Sequence, residues 1–235
     1  MPTDRRFFRV AKAIHQRQLD IVVALDGVHD QHNLSAVLRS ADATGIGRVL
    51  WYPDVRRPEK LNPEVSKGSE RWVSLEAVAA LPPRLLDLKK QGYKVAATHM
   101  ARKAVDYRSI DWTQPWVVVF GNEQRGCSEA TIEVADANIF LPMMGFVQSL
   151  NISVAAAVTF YEIQRQRENA GMYSRCAPEQ QIRELYSQWH LEDEQFSIEQ
   201  LLAPPVGELP EMDHPHSDGR SVRKLPEVGE FDEQR

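Results

Sequence analysis

The sequence predicts an α/β protein, a parallel sheet with helices on both faces. Its strand-like segments, among them residues 21–26 (IVVALD), 94–98 (KVAAT) and 116–120 (WVVVF), are continuous apolar runs. That is the pattern of strands buried on both faces, not of half-solvated ones. They alternate with stretches of helical periodicity, as crossover connections between parallel strands do. With 235 residues, 43% of them apolar and 26% charged, the chain can bury a sizeable core.

The elements follow in order. Residues 3–18 (TDRRFFRVAKAIHQRQ) place Phe7, Val10, Ala11 and Ile14 on one helical face. Arg5, Arg6, Arg9, Lys12 and Arg17 lie around the rest, as a solvated face or as a phosphate-contacting arm. After the strand at 21–26 a loop runs to His32, and a helix is expected over 33–42, with Asn33 placed to cap it and Gly45 to end it. Residues 48–52 read as a strand, 56–69 as a loop and 71–75 as a strand. A helix through Leu88 follows, which Pro82 and Pro83 would split. Beyond the strand at 116–120, the glycine-bounded loop GNEQRGCS leads into a helix over 128–135. The last strand, 138–141, stops at Pro142; the chain bends at Gly145 and enters a helix from Ser149 to about Asn169. Either Ser149 or Asn151 would cap that helix. In such sheets ligands bind beyond the carboxyl ends of the strands, which puts the loops after Asp26, Thr98, Phe120 and Leu141 on one rim. Three segments are expected: a basic helical arm at 1–20, the main domain at 21–170, and an extension at 171–235. The extension reads as helical over 179–190, then as Pro- and acid-rich and disordered.

The net charge of -5 hides an asymmetry. Residues 176–235 hold 14 acidic and 5 basic side chains, leaving 23 basic and 19 acidic in residues 1–175. The body is therefore mildly basic and compatible with a nucleic-acid partner. Two cysteines are too few for a disulfide framework, which favours a reducing cytosol. The opening MPTDRRFFRV turns charged at once, unlike a secretory signal, and no apolar run is long enough for a membrane span.

Several chemistries are disfavoured by the motifs. Residues 121–128 lie between a strand and a helix like a nucleotide phosphate loop, but Cys127 stands where the lysine is needed and Glu123 would put negative charge in the cradle. His29 and His32 have a chelating spacing with no further ligand cluster, so no metal is expected. No serine sits in a nucleophile elbow. What remains on the rim is Asn33, Asn122, Ser149 and Asn151 with one arginine, Arg39, and one glutamate, Glu123. A set with few titratable groups suits group transfer by positioning.

Three stretches carry a resemblance: HNLSAVLRSAD, FGNEQRGCS and LPMMGFVQSLNISVAAAV. In order and spacing they resemble the three motifs of the SpoU class of RNA 2′-O-methyltransferases, within the SPOUT superfamily. HQRQLDIVVALDGVHDQHN and YEIQRQRENAGMYSR are similar to its TrmH branch, the tRNA (guanosine-2′-O-)-methyltransferases of guanosine 18 in the D-loop. The resemblance spans residues 3–175. It implies a SPOUT fold whose C-terminal third forms a deep trefoil knot, S-adenosylmethionine as cofactor, a homodimer, tRNA as partner and a cytoplasmic location. It assigns Arg39 as the catalytic arginine, with Asn33 positioning it, and Glu123, Ser149 and Asn151 as the polar groups of the site. The cofactor is expected against Thr98, Gly121, Leu141 and Leu150, and tRNA against Arg9, Arg165, Arg167 and Arg175. The alternatives are a methyltransferase for ribosomal RNA or another tRNA position, and a non-catalytic RNA-binding protein on the same scaffold. The acidic extension departs from the more basic one usual in this branch.

Overall fold

The computed structural model describes residues 2–53, 68–122, 124–207 and 209. The chain divides into two compact units, one of residues 15–177 and the other of residues 1–14 with 178–235.

The larger unit is built on seven parallel strands: β1 (Gln18–Asp26), β2 (Ile46–Tyr52), β3 (Ser74–Ala77), β4 (Lys94–Thr98), β5 (Val105–Asp106), β6 (Trp116–Gly121) and β7 (Ala137–Phe140). Their order across the sheet is β3-β2-β1-β6-β4-β7-β5, and every pairing is parallel. Alternate residues of β1 and β6 enter two different cores. Ile21, Val23, Leu25, Val118 and Phe120 pack with Leu34, Val37, Leu38 and Ala41 of helix α2 (Gln31–Ala43) and with Ile152, Ala156, Phe160 and Ile163 of helix α5 (Ile152–Asn169). Val22, Ala24, Val117 and Val119 pack with Leu81, Leu85 and Leu88 of helix α3 (Leu81–Lys90), and Ile132 of helix α4 (Glu129–Val134) rests against the same cluster. This two-sided burial is the reason the strands read as continuous apolar runs.

The structure moves several boundaries for identifiable reasons. β1 starts at Gln18 because that residue's amide bonds to the Gly45 carbonyl at 2.8 Å. Asp30, not Asn33, caps α2: its carboxylate accepts from His32 N at 2.7 Å and Asn33 N at 3.0 Å. Pro82 and Pro83 open α3 and do not split it, since the first helical turn needs no backbone N–H bond. A 3-10 turn at Ser69–Arg71 takes the place of the first residues of the strand expected at 71–75. The two-residue β5 is too short to leave a periodic signal. Most of the loop expected at 56–69 and the acidic tail beyond 209 lie outside the described residues.

In the smaller unit, helix α1 (Asp4–Gln16), whose last residues enter the larger unit, stacks Phe7 on Phe196 with ring centroids 6.3 Å apart. Helix α6 (Glu179–Gln188) and the short α7 (Ile198–Leu201) bury Ile182, Leu185, Trp189, Leu191 and Leu201. The Tyr186 hydroxyl donates to the Phe196 carbonyl at 2.9 Å. Arg6, one of the cations of the arm, bonds to Glu194 at 2.7 Å.

Two arginines differ from the sequence reading. Arg17 is buried and pairs with Asp42 at 2.5 Å, so it is no part of an exposed arm. Arg167, expected to face tRNA, is fully buried. Its Nε donates to the Trp112 carbonyl at 2.8 Å, Nη1 to Gln18 Oε1 at 2.8 Å and Asp20 Oδ1 at 2.7 Å, and Nη2 to Asp20 Oδ2 at 3.0 Å and the Gln114 carbonyl at 3.1 Å. All five N–H groups of the guanidinium are thereby used. Among the described residues, no helix is long and apolar enough to cross a membrane. Arg167→Ala is expected to destabilise the protein by roughly 3 kcal/mol in urea denaturation, because Asp20 and two buried carbonyls lose their donors. Arg167→Lys is expected to recover only a minor part, since an ammonium cannot reproduce a five-donor fork.

Candidate active site

Beyond the carboxyl ends of β6, β4 and β7, neighbours in the sheet, lies a pocket of about 210 Å³. Thr98, Gly121, Leu141 and Leu150 all line it, and so does Ser149. Phe120, Ile139, Phe140, Ile152 and Ala155 supply apolar walls; His99, Asn122 and Gln148 add polar ones. Among the described residues no carboxylate, lysine or arginine is in the lining, so this part of the cavity suits a ligand held by shape and uncharged polar contacts. His99, Met100, Gln148 and Ile152 were not singled out from sequence. The only signal for the first two was their place just after β4.

The rim at 121–128 is held by backbone. Asn122 and Gly126 form an antiparallel bridge, N to O at 3.0 and 2.8 Å, with Gly126 at φ 71°. The Asn122 side chain spans the turn: its amide donates to the Gly27 carbonyl at 2.8 Å and its oxygen accepts from Gln124 N at 2.9 Å. The folded-back chain comes so close to β6 that a Cβ on Gly121 would lie 2.1 Å from Cys127 N. Only glycine fits there. Asp26 anchors the far end, accepting from Ser128 N at 2.8 Å and Ser128 Oγ at 2.9 Å. Burial foremost, then the charge of Asp26, pushes the Cys127 thiol up to about 12, which removes it as a nucleophile near neutral pH. Glu123 lies outside the described residues.

The wall formed by the N-terminus of α5 resolves the capping question. Asn151, not Ser149, is the cap: its side-chain oxygen accepts from Ser153 N at 2.9 Å and Ser153 Oγ at 2.6 Å. Its amide donates to Asn33 Oδ1 at 3.1 Å, which joins α5 to α2. Asn33 therefore engages Asn151 and not Arg39. Arg39 lies six residues further along α2, about 240° around the helix. Its side chain is exposed and has no partner among the described residues.

The expected RNA-facing residues differ in their surroundings. Arg165 is exposed and pairs with Glu162 at 2.7 Å. Arg175 is exposed, with one long contact, 3.4 Å, to the Ala170 carbonyl. Arg9 is half-buried in the smaller unit. Among the described residues no group of three side chains is arranged to hold a metal.

A parallel α/β domain with a pocket beyond three strand ends, lined among the described residues by apolar and uncharged polar groups and His99, is the kind of site that binds a small molecule and works by positioning it. The sequence profile of the SpoU rRNA Methylase family matches residues 20–161. The tRNA (guanosine(18)-2′-O)-methyltransferase of Aquifex aeolicus is 39% identical over 191 residues, 81% of this chain and 90% of that protein. The Thermus thermophilus enzyme of the same name is 43% identical over 74% of this chain and 89% of its own length. The crystal structure of the A. aeolicus TrmH/SpoU tRNA modifying enzyme superposes with a TM-score of 0.76, covering 81% of this chain and 97% of that one. The SpoU methyltransferase AviRb of Streptomyces viridochromogenes, solved in complex with AdoMet, superposes with a TM-score of 0.58 at 26% identity, over 66% of this chain and 64% of its own. The chain belongs to the SpoU methylase family.

Because Asn151 both caps α5 and donates to Asn33, its two tasks separate by substitution. Asn151→Ala is expected to cost about 1 kcal/mol in urea denaturation. Asn151→Asp keeps the acceptor for Ser153 N and is expected to recover most of that stability while losing the amide bond to Asn33.

Proposed function

We propose that this protein transfers a methyl group from S-adenosylmethionine to the ribose 2′-hydroxyl of guanosine 18 in tRNA. The observation that carries this reading is the pocket that brings together Thr98, Gly121, Leu141, Ser149 and Leu150, in a chain about 40% identical to enzymes named for that reaction. The pocket fits the cofactor: apolar walls from Phe120, Ile139 and Leu150 suit an adenine, and the absence of lysine and arginine from the lining among the described residues suits a sulfonium cation. When bound, S-adenosylmethionine supplies a methyl group that is already activated for displacement. The protein's own task is alignment, which can account for roughly 7–11 kcal/mol of a barrier.

Gly121 and the bridged Asn122–Gly126 turn hold one wall in place, and Asn151 holds the other. A guanidinium is a cation and a five-donor fork rather than a base, so the role of Arg39 is electrostatic: it stabilises the negative charge that develops on the 2′-oxygen. An exposed guanidinium with no partner among the described residues is ready for such a charge. Glu123 and Ser149 complete the polar side of the site, and Arg9, Arg165 and Arg175 contact tRNA phosphates. The cytoplasm is the compartment this substrate implies.

The active form is a homodimer. Val154, Val158 and Tyr161 recur along one side of α5 with 47%, 40% and 57% of their surface exposed, and Met144, Phe146 and Val147 add exposed apolar surface just before it. A second copy of the chain is the occupant such a face calls for. The trefoil knot belongs to the same proposal and is supported by family membership.

Incubation with labelled cofactor and a tRNA transcript is expected to place the label on the ribose of guanosine 18; label elsewhere, or in ribosomal RNA instead, sinks this assignment. Arg39→Ala should lower kcat about 10²–10³-fold and leave folding stability within about 0.5 kcal/mol. Full activity in Arg39→Lys would contradict a need for the planar fork. Tyr161→Asp should convert the dimer to monomer in sedimentation.

A further inference from the structure

In the unit of residues 15–177, the described lysines and arginines are almost all committed. Arg17, Arg84, Lys89, Lys90, Arg108, Arg165 and Arg167 are in ion pairs. Lys94 lies over the Trp116 ring and Arg71 over Trp72, while Arg48 and Arg175 make hydrogen bonds and Arg125 also has a partner. Three cations among the described residues of this unit have no such partner: Arg39, Arg102 and Lys103. The first belongs to the reaction already described. The other two sit together, both exposed, at the tip of a turn closed by the Ala104 N–H donating to the Ala101 carbonyl at 2.9 Å.

That turn is the lip of the pocket. His99 and Met100, the residues just before it, line the cavity, and the His99 N–H is tied to the Ile139 carbonyl at 3.1 Å. Arg102 is two residues from Met100, so its Cα lies within about 7 Å of that of Met100. A guanidinium and an ammonium are thereby carried, exposed, on the turn that directly follows two residues of the pocket lining. Met100, 72% exposed, gives the lip an apolar edge against which a base can rest.

We propose that Arg102 and Lys103 form a phosphate-binding lip that grips the RNA backbone beside the methylated nucleotide. The proposal rests on the RNA-methylation reading above and adds to it a contact made by the loop after β4. An uncommitted cation has no intramolecular bond to lose on meeting a phosphate, whereas Arg165 must first give up Glu162. The contact is independent of base identity, so it positions the strand without selecting its sequence.

The test uses the full chain and an unmodified tRNA transcript, with binding followed across a series of salt concentrations. Replacing both residues, Arg102→Ala with Lys103→Ala, should weaken binding on the order of tenfold. The slope of log affinity against log salt should fall by roughly 1.4–1.8, the share of two phosphate contacts. The charge-keeping pair Arg102→Lys with Lys103→Arg should restore the slope. An unchanged slope, with wild-type binding intact, overturns this proposal alone. Loss of S-adenosylmethionine affinity in the double variant would show that the cations hold the methionine carboxylate instead, and a shift in sedimentation would show that they contact a second copy. Absence of salt-dependent tRNA binding by the wild-type protein would overturn the substrate reading, and the lip with it.

Discussion

Arg167 is the constraint on which the placement of the site depends. A buried guanidinium is tolerable only when its charge and all five donors are met, and here β1, the segment before β6 and α5 must converge to meet them. Gln18 and Asp20 come from the start of β1, and Trp112 and Gln114 from the approach to β6. The clamp fixes both the rotation and the axial position of α5. Asn151 lies at the other end of that helix, so the anchoring of its C-terminal turn sets where the wall of the pocket stands against the strand ends.

The opposite wall is fixed by a different means. Asp26, at the end of β1, holds Ser128, and Asn122 ties the turn to Gly27. The missing side chain of Gly121 lets the turn close onto β6. A backbone bridge and the uncharged Asn122 amide hold this wall in place. A wall held in this way suits a transfer governed by geometry.

The same residue type serves two ends. Where a carboxylate or a set of carbonyls lies within reach, an arginine is consumed by the fold, as Arg17 and Arg167 are. Where no bond is made among the described residues, as at Arg39 and Arg102, the side chain stays exposed, and its charge is the one we propose for a partner outside the chain. Stability and RNA contact thus draw on one composition, and the division between them is made by neighbours in space.

Much of this was legible in the chain. Continuous apolar strands alternating with helices determined a parallel sheet, because burial on both faces removes the need for alternation. The order of the strand ends put the loops after Asp26, Thr98, Phe120 and Leu141 on one rim, and three ordered motifs pointed to the family, whose resemblance supplied Thr98, Gly121, Leu141 and Leu150. Local spacing was less reliable at helix starts: Asp30 displaced Asn33 as a cap because the helix begins a turn earlier, where the free amides are those of His32 and Asn33. The fate of each arginine was decided only by tertiary structure. Arg165 and Arg167 are two residues apart on one helix, yet one is exposed and the other fully buried. Helical periodicity says that they point in different directions; it does not say that Asp20, 147 positions away, waits at the end of one of them.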